Sequence, residues 1–399
     1  VRLSIVIPAF NEEAAIGKTV RSCLDARAAI RAEAGLDAVD VIVVDDGSSD
    51  RTAAIVREIA DAELVQHGVN KGYGVAIKTG FAAARGELLS FLDADGTCDP
   101  LLLGRLAKTL VEQDADVVSG NRLAPGNHMP PIRRLGNRLF ATMINVVSPQ
   151  HVTDLASGMR VMRRDALPKL APLPDGMHFT PAMSAKAVFD QSLKLVEVPI
   201  PYAERIGTSK LSVLKDGQRF LRVLGEIALS YRPFAFFGAP GLLCLVIAGL
   251  YSAQPIRHLL DTGALPADAI YRVFTIVVLT VTGITLLGTG LVAEAATAIL
   301  HGRRGPPHAL HRICDAILLS HPFTLGTLSC VAAIVLNRHA IATYLEYRRI
   351  DDPWIQIAVG GLLVLLAATL YALGALKKIL LMLADRRIAR DEALKAKAS

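Results

Sequence analysis

Cysteine is scarce: five residues in 399, at Cys23, Cys98, Cys244, Cys314 and Cys330, with no Cys-x-x-Cys pair. That scatter excludes a disulfide framework or a zinc cluster as the scaffold and fits a thiol-reducing compartment. A chain of this length can bury a large core without such staples. Strong excess charge is missing too. A net charge of +6 suits anionic lipid or phosphate partners, and no nucleic-acid partner is indicated. Two loop motifs are also absent. Gly72-Tyr73-Gly74 is followed by Ile77-Lys78-Thr79, without the glycine before lysine that a P-loop needs. No D-x-D-x-D-G stretch with its closing glutamate occurs, which excludes a calcium loop of that kind.

What abounds is apolar residue, 52% of the chain, unevenly placed. Up to about residue 232 the sequence reads as globular. Beyond it lie Phe234–Ala253, Val273–Ala293, Ala316–Leu336 and Ile355–Leu376, all without Asp, Glu, Lys or Arg. Each is about 20 residues long, enough to cross a hydrocarbon core of ~30 Å. Buried core helices are the alternative, and four such runs between charged loops argue against it. His321-Pro322 interrupts the third run. Lys210, Lys215, Arg219, Arg222 and Arg232 precede the first run, and Arg386, Arg387, Arg390, Lys395 and Lys397 follow the last. Flanking cations mark the cytoplasmic side, so both ends are expected there, with an even number of spans.

Leu214, Leu221, Leu224 and Ala228 recur at helical spacing among basic residues. They predict an amphipathic helix, either lying in the membrane interface or packing on the globular part. The expected organisation is a globular domain over 1–209, an interface helix over 210–232, a four-helix transmembrane domain over 233–384 and a basic cytoplasmic tail over 385–399. The protein is expected to be integral to the membrane with its globular domain cytoplasmic. Homo-oligomerisation is neither required nor excluded.

Within the globular part, Leu3–Pro8, Val39–Asp45, Leu88–Leu92 and Ala115–Ser119 read as strands. Helical patterns over Glu12–Ala29, Arg51–Ala60, Gly74–Ala84 and Leu101–Gln113 separate them. That alternation predicts a parallel sheet with helices on both faces, where ligands collect at the carboxyl ends of the strands. The residues following three strands are Ala9-Phe10-Asn11-Glu12, Asp45-Asp46-Gly47-Ser48 and Asp93-Ala94-Asp95-Gly96. Such crowded carboxylates make sense around a divalent cation. Asp93 and Asp95 can present oxygens to one hard ion, with phosphates completing its shell. A solvated strand-end turn would explain a lone Asp-x-Asp equally well.

The pair does not stand alone. SIVIPAFNEE at 4–13, VIVVDDGSSD at 41–50, HGVNKGYGVAIKTGFAAARGE at 67–87 and FLDADGTCDP at 91–100 follow in order. Together they resemble glycosyltransferase family 2, which implies a GT-A, Rossmann-like α/β catalytic domain ahead of the all-α transmembrane part. SGNR at 119–122, IRRLGNRL at 132–139, TDLASGMRVMRRD at 153–165 and VEVPIPYAERIGTSKL at 196–211 narrow the resemblance. They look like the polyprenyl-phosphate glycosyltransferases, including dolichyl-phosphate mannose and glucose synthases. The resemblance covers roughly residues 1–230; the helical half matches only in kind.

It implies a role for each motif. Pro8, Ala9, Asn11 and Glu12 would border the base and ribose of a nucleotide sugar, with Asp45 and Asp46 accepting from them. Asp45–Ser48 also reads as a tight turn capping the next helix. Gly72 and Gly74 would let backbone approach the nucleotide, and Lys71 would reach phosphate. Asp93 and Asp95 would hold Mg2+ or Mn2+ bridging the donor diphosphate. Arg122, Arg133, Arg134, Arg205, Ser209 and Lys210 would meet the acceptor, a polyprenyl phosphate in the membrane; arginine forks suit phosphate. Lys215 and Arg219 read instead as positive-inside charges. Asp95, Asp154 and Arg122 are the expected catalytic residues, with Asp154 orienting the acceptor or acting as a weak base. Inversion at the anomeric carbon by direct displacement is the implied chemistry. Relatives often carry Glu where this chain has Ala182.

Two other functions compete. A processive polysaccharide synthase would share the early motifs, but it wants a Q-x-x-R-W segment and the only tryptophan is Trp354. A lipid-linked sugar transporter, or a scaffold without catalysis, would want ionisable residues within the spans. Only Glu294 and His321 lie near them.

Overall fold

A computed structural model describes residues 1–124, 127, 129–201, 213–263, 269–300, 309–348 and 354–398. Two compact units divide the chain, Val1–Ala228 and Leu229–Ser399.

The first unit is built on a sheet. Its strands are β1 (Arg2–Ala9), β2 (Ala38–Asp45), β3 (Ala62–Gln66), β4 (Leu88–Phe91), β5 (Val117–Asn121), β6 (Arg160–Arg163) and β7 (Leu195–Pro199). They lie in the order β3-β2-β1-β4-β6-β5-β7. β1 is buried along almost its whole length, as expected of a parallel strand covered on both faces. Leu3, Ile5 and Ile7 face a core shared with α1 (Ile16–Ala34). On the other face Val6 lies so close to α3 (Tyr73–Ala83) that a Cβ on Gly80 would stand 2.3 Å from its Cγ1. α1 ends where Gly35 takes a left-handed φ of 63° and returns its N–H to Arg31 O, a conformation glycine adopts without strain.

The helices α2 (Thr52–Arg57) and α4 (Leu102–Glu112) complete the alternating half. In α4, Leu103, Leu106, Ala107 and Leu110 are buried, the spacing of one helical face. After it come α5 (Pro131–Asn145), the short α6 (Leu167–Leu170), α7 (Phe179–Phe189) and α8 (Val213–Tyr231). The sheet is mixed rather than parallel, because β6 runs antiparallel to both β4 and β5. The chain lays β1, β2 and β3 outward in one direction, then returns to place β4 on the other side of β1. That reversal leaves a crevice beyond the carboxyl ends of β1 and β4, where such sheets bind ligands.

α8 behaves mainly as a packing helix of the first unit. Phe220, Leu224, Ile227 and Ala228 are buried while Leu221 stays exposed. The stretch before it, including Arg205, Ser209 and Lys210, lies outside the described residues.

The second unit is all helix: α9 (Pro233–Thr262), α10 (Ile270–Leu300), α11 (Ala309–Leu318), α12 (Pro322–Leu336), α13 (Arg338–Tyr347) and α14 (Trp354–Ala398). α9, α10 and the Trp354–Leu383 part of α14 are each long and apolar enough to cross a membrane. The third apolar run is broken. Leu310–Leu318 and Pro322–Leu336 meet at a bend of 53°, so the described residues hold three spans, or four if this bent pair is one. Pro322 opens α12 and lacks the N–H to continue a helix, and it restricts His321 before it. α9 and α10 touch through glycines. A Cβ on Gly241 would lie 2.8 Å from Gly283 O, and one on Gly290 2.8 Å from Gly238 N. Small residues allow such backbone approach between membrane helices.

Candidate active site

A cavity of about 650 Å³ opens at the crevice. Pro8, Ala9 and Glu12 after β1, Asp46 after β2, and Asp93, Asp95 and Thr97 after β4 line one side. Register explains their convergence. Ala9 pairs with Asp45 across β1–β2, and Val6 pairs with Phe91 across β1–β4, so the chain leaves all three strands at one edge. Arg122, Arg133 and Arg219 line the cavity too. They come from the end of β5, from α5 and from α8. In the sheet β5 stands two strands beyond β4, about 10 Å away at ordinary strand spacing. Carboxylates and guanidiniums thus line one cavity.

The carboxylates are held individually. Asp46 accepts from the Lys71 and Gly72 backbone N–H groups at 2.9 and 2.8 Å. His67 Nδ1 stands 2.7 Å from Asp46 Oδ1, and its Nε2 is 3.0 Å from Thr79 Oγ1. Tyr73 donates its hydroxyl to Asp93 Oδ1 at 2.7 Å. Burial, then the charge of Asp93, pushes that phenol well above its usual range. Asp95 accepts from Thr97 N at 3.0 Å and Thr97 Oγ1 at 2.6 Å. Gly158 crosses behind Asp93 so closely that a Cβ there would be 2.0 Å from Oδ2. Burial, followed by Asp93 and Asp95, pushes the neighbouring Cys98 thiol up to about 12.

Asp93 and Asp95 form an all-oxygen donor pair suited to a hard cation. Among the described residues no cluster of three metal-ligating side chains occurs. The pair fits an ion whose remaining ligands arrive with an oxygen-rich substrate.

Arg122 and Asp154 form a forked pair. Nε donates to Oδ2 at 2.8 Å and Nη2 to Oδ1 at 2.9 Å, with the Arg122 backbone N–H at 3.0 Å. Asn137 Nδ2 donates to the same carboxylate at 2.6 Å, and Glu197 takes the Thr153 and Asp154 N–H groups at 2.8 Å each. Asp154 is 0% exposed. Burial raises its pKa, but the charge and hydrogen bonds of Arg122 outweigh this and hold it below the usual carboxylate range. Burial likewise opposes the Arg122 charge, and Asp154 outweighs it, raising the guanidinium. This geometry speaks against a base role for Asp154: it is sealed from the cavity and holds its proton poorly. It positions Arg122.

Other expected residues sit apart from the cavity wall. Asn11 turns its Oδ1 to Ser49 N at 2.8 Å, and Asp45 accepts from Ser48 N and Gln66 Nε2 at 3.1 Å each. Both brace the turn after β2. Lys71 contributes its backbone N–H while its side chain is exposed. Arg134 donates to Asn127 O and does not line the cavity. Gly72 does line it, but the tight contact that demands glycine is protein. With φ at 107°, a Cβ there would lie 2.7 Å from Asp175 O, and one on Gly74 2.2 Å from Pro174 O. Ala182 is buried inside α7 and the adjoining Thr180 and Pro181 line the cavity instead.

Several residues were not singled out from sequence. Tyr73, His67 and Asn137 all lie within quoted motifs or next to them, yet none has a residue type that announces its contact. Arg160 is fully buried, donates Nη2 to Leu155 O at 2.9 Å, and leaves Nε and Nη1 without a hydrogen-bond partner. Burial depresses it to about 10 despite the nearby Asp154 and Tyr73. Arg219, expected as a positive-inside charge, lines the cavity and pairs with Asp216 at 3.3 Å.

Comparison with known proteins gives matches over both units. The model of glycosyl transferase family 2 matches residues 4–171, and a domain of unknown function matches residues 233–391. A low-salt glycan biosynthesis hexosyltransferase of Haloferax volcanii is 35% identical over 254 residues, 62% of this chain and 58% of that protein. A dolichyl-phosphate hexose transferase of the same organism is 31% identical over 234 residues, 58% of this chain and 95% of that protein. An undecaprenyl-phosphate 4-deoxy-4-formamido-L-arabinose transferase of Sodalis glossinidius is 26% identical over 77% of this chain and 91% of its own length. Among solved structures, glucosyl-3-phosphoglycerate synthase from Mycobacterium tuberculosis aligns with 57% of this chain and 80% of its own, at a TM-score of 0.45 and 22% identity. With an N-terminal motif block matched by the family model and a relative matched along nearly its full length, the chain belongs to glycosyltransferase family 2.

Proposed function

We propose that the cavity transfers a hexosyl group, with inversion, from a nucleotide sugar of the GDP-mannose or UDP-glucose type to a polyprenyl or dolichyl phosphate. The product is a lipid-linked monophosphate sugar. One observation carries this reading: one cavity is lined by Asp46, Asp93 and Asp95 together with Arg122 and Arg133. The names of the relatives point to the same reaction class.

In this reading Pro8, Ala9, Glu12 and Asp46 border the nucleoside, with Asn11, Asp45 and the Lys71–Gly72 backbone supporting them. Mg2+ or Mn2+ held by Asp93 and Asp95 supplies charge neutralisation for the departing diphosphate. Arg122 and Arg133 receive the acceptor phosphate, with Arg205, Ser209 and Lys210 as further candidates. A phosphate monoester is largely ionised above its second pKa of about 6, so attack at the anomeric carbon needs no strong base. Catalysis then rests on position and charge. Asp154 keeps the Arg122 fork aimed and charged, and Asn137 and Glu197 fix Asp154 in turn.

The catalytic unit works from the cytoplasmic side, where the cations ahead of α9 and at the end of α14 would hold both chain ends. Four crossings satisfy that orientation if α11 and α12 count as one span. Incubating membranes that carry the protein with labelled GDP-mannose, UDP-glucose or UDP-N-acetylglucosamine and a polyprenyl phosphate tests the reading. One donor should label an organic-extractable lipid. Failure of every common donor would overturn it.

A further inference from the structure

His67 is buried and has no part in the chemistry above. It follows β3, whose Gln66 pairs with Asp45 of β2, and its backbone N–H donates to Asp45 O at 2.9 Å. That register sets the imidazole beside Asp46, the residue after β2. Nδ1 stands 2.7 Å from Asp46 Oδ1, and Nε2 stands 3.0 Å from Thr79 Oγ1 of α3. His67 is 8% exposed and Asp46 2%, yet Asp46 belongs to the cavity lining and His67 does not. A carboxylate only accepts, so Nδ1 carries the hydrogen of this contact. Thr79 meets the other ring nitrogen, and the two contacts together fix the ring's orientation.

A carboxylate offers about four acceptor positions, two on each oxygen. Among the described residues, Lys71 N and His67 Nδ1 fill two on Oδ1, and Gly72 N fills one on Oδ2. The position left over is on Oδ2. We infer that His67 is a positioning residue for the donor nucleoside. It holds Asp46 so that one Oδ2 acceptor meets one N–H or O–H of the bound nucleoside. Hydrogen bonds to an ionised acceptor are the strong ones, so losing the imidazole leaves Asp46 held by the backbone of one loop alone. The competing role is a brace, in which the ring merely fills space between the turn after β2 and α3. A brace needs ring volume, whereas the positioning role needs the Nδ1 donor. This rests on the nucleotide-sugar donor proposed above and adds to it a residue behind the cavity wall.

The test is calorimetric binding to the full chain in lipid nanodiscs, with Mn2+ present throughout. The probes are uridine diphosphate, guanosine diphosphate and inorganic diphosphate. Whichever nucleotide binds the wild-type protein more tightly is compared with inorganic diphosphate, and the readout is the ratio of the two Kd values. That ratio isolates the nucleoside part of the affinity. His67→Phe keeps a ring and removes both polar contacts; it should cut the ratio about tenfold, the loss expected of a hydrogen bond to a charged group. Asparagine carries an amide N–H near the Nδ1 position and glutamine near the Nε2 position. His67→Asn should therefore stay close to the wild-type ratio, and His67→Gln should fall with phenylalanine. A wild-type ratio in His67→Phe would overturn the positioning role. So would equal weakening of nucleotide and inorganic diphosphate, or a glutamine variant with a higher ratio than the asparagine one, since glutamine returns more volume. The order of asparagine and glutamine decides the matter even where phenylalanine lowers the unfolding midpoint. Wild-type protein that binds neither nucleotide would overturn this role and the proposed donor together.

Discussion

Replacing Asp154 with asparagine changes one charge and almost no volume. The carboxylate accepts from Arg122 N, Nε and Nη2 at 3.0, 2.8 and 2.9 Å, from Asn137 Nδ2 at 2.6 Å and from Ala156 N at 3.2 Å. An amide places an N–H where one oxygen now accepts, so a donor faces a donor. It also strips Arg122 of its counter-ion. Breaking a buried pair from one side costs ~3–5 kcal/mol. Arg122 keeps 22% of its side chain exposed, so water softens the loss toward the lower end, about 3 kcal/mol. For a unit of this size that is a fall of about 6–12 °C in its unfolding midpoint. Turnover should drop about 100-fold, as misplaced groups at a reaction centre do. Thermal unfolding of the purified protein and initial-rate assays read the two effects. The double variant Arg122→Met with Asp154→Leu separates them: with no orphan charge left, stability should partly return while turnover does not. An Asp154→Asn protein with the wild-type midpoint and full turnover would rule out a positioning role for Asp154.

Gly158→Ala should push Asp93 from its place, since the new Cβ would start 2.0 Å from Oδ2. Its Mn2+ requirement should shift upward about 10- to 100-fold, the usual effect of disturbing a ligand's support; an unchanged Mn2+ titration would argue against Asp93 as a ligand. Because the folded Asp154 pKa is depressed, the stability it adds is present above the ordinary carboxylate value and is lost only as pH falls through the depressed one. Arg122 is raised, so the pair stays charged at neutral pH. The acid limb of kcat/KM should therefore follow the acceptor phosphate near pH ~6 and move upward with a less acidic phosphonate acceptor; a limb that ignores the acceptor contradicts this. In the second unit, Gly290→Leu should force α9 and α10 apart and lower its unfolding midpoint. Gly249→Leu, with nothing within 4 Å of its Cβ, should not.

The parts legible in sequence were those written in short-range pattern. Apolar runs ending in polar clusters marked β1, β2 and β4, and the strand-end rule put Asp46, Asp93 and Asp95 together. β6 was hidden because its four residues, Arg160–Arg163, carry two arginines and show no apolar alternation. Its antiparallel course depends on pairing with β4 and β5, which no local pattern encodes. Asp154 looked like a substrate-facing acid because sequence cannot show that Arg122, 32 residues earlier, fills both its oxygens. The place of Arg219 in the cavity lining is not legible either, because a basic helix before an apolar span has the same composition whatever its arginines face. Gly72 and Gly74 read from sequence as positions where backbone approaches a nucleotide, whereas the group that a Cβ there would meet is the Pro174–Asp175 backbone. A contact at that separation leaves no periodic trace.

Metal-assisted sugar transfer to a lipid phosphate is the reaction proposed for this cavity. Its most direct test is the yield of lipid-linked labelled sugar with Mn2+, with chelator, and from an Asp95→Ala protein whose unfolding midpoint matches wild type. Labelled lipid is expected only from the wild-type protein with metal present. Equal labelling by Asp95→Ala, or labelling that survives the chelator, would contradict it.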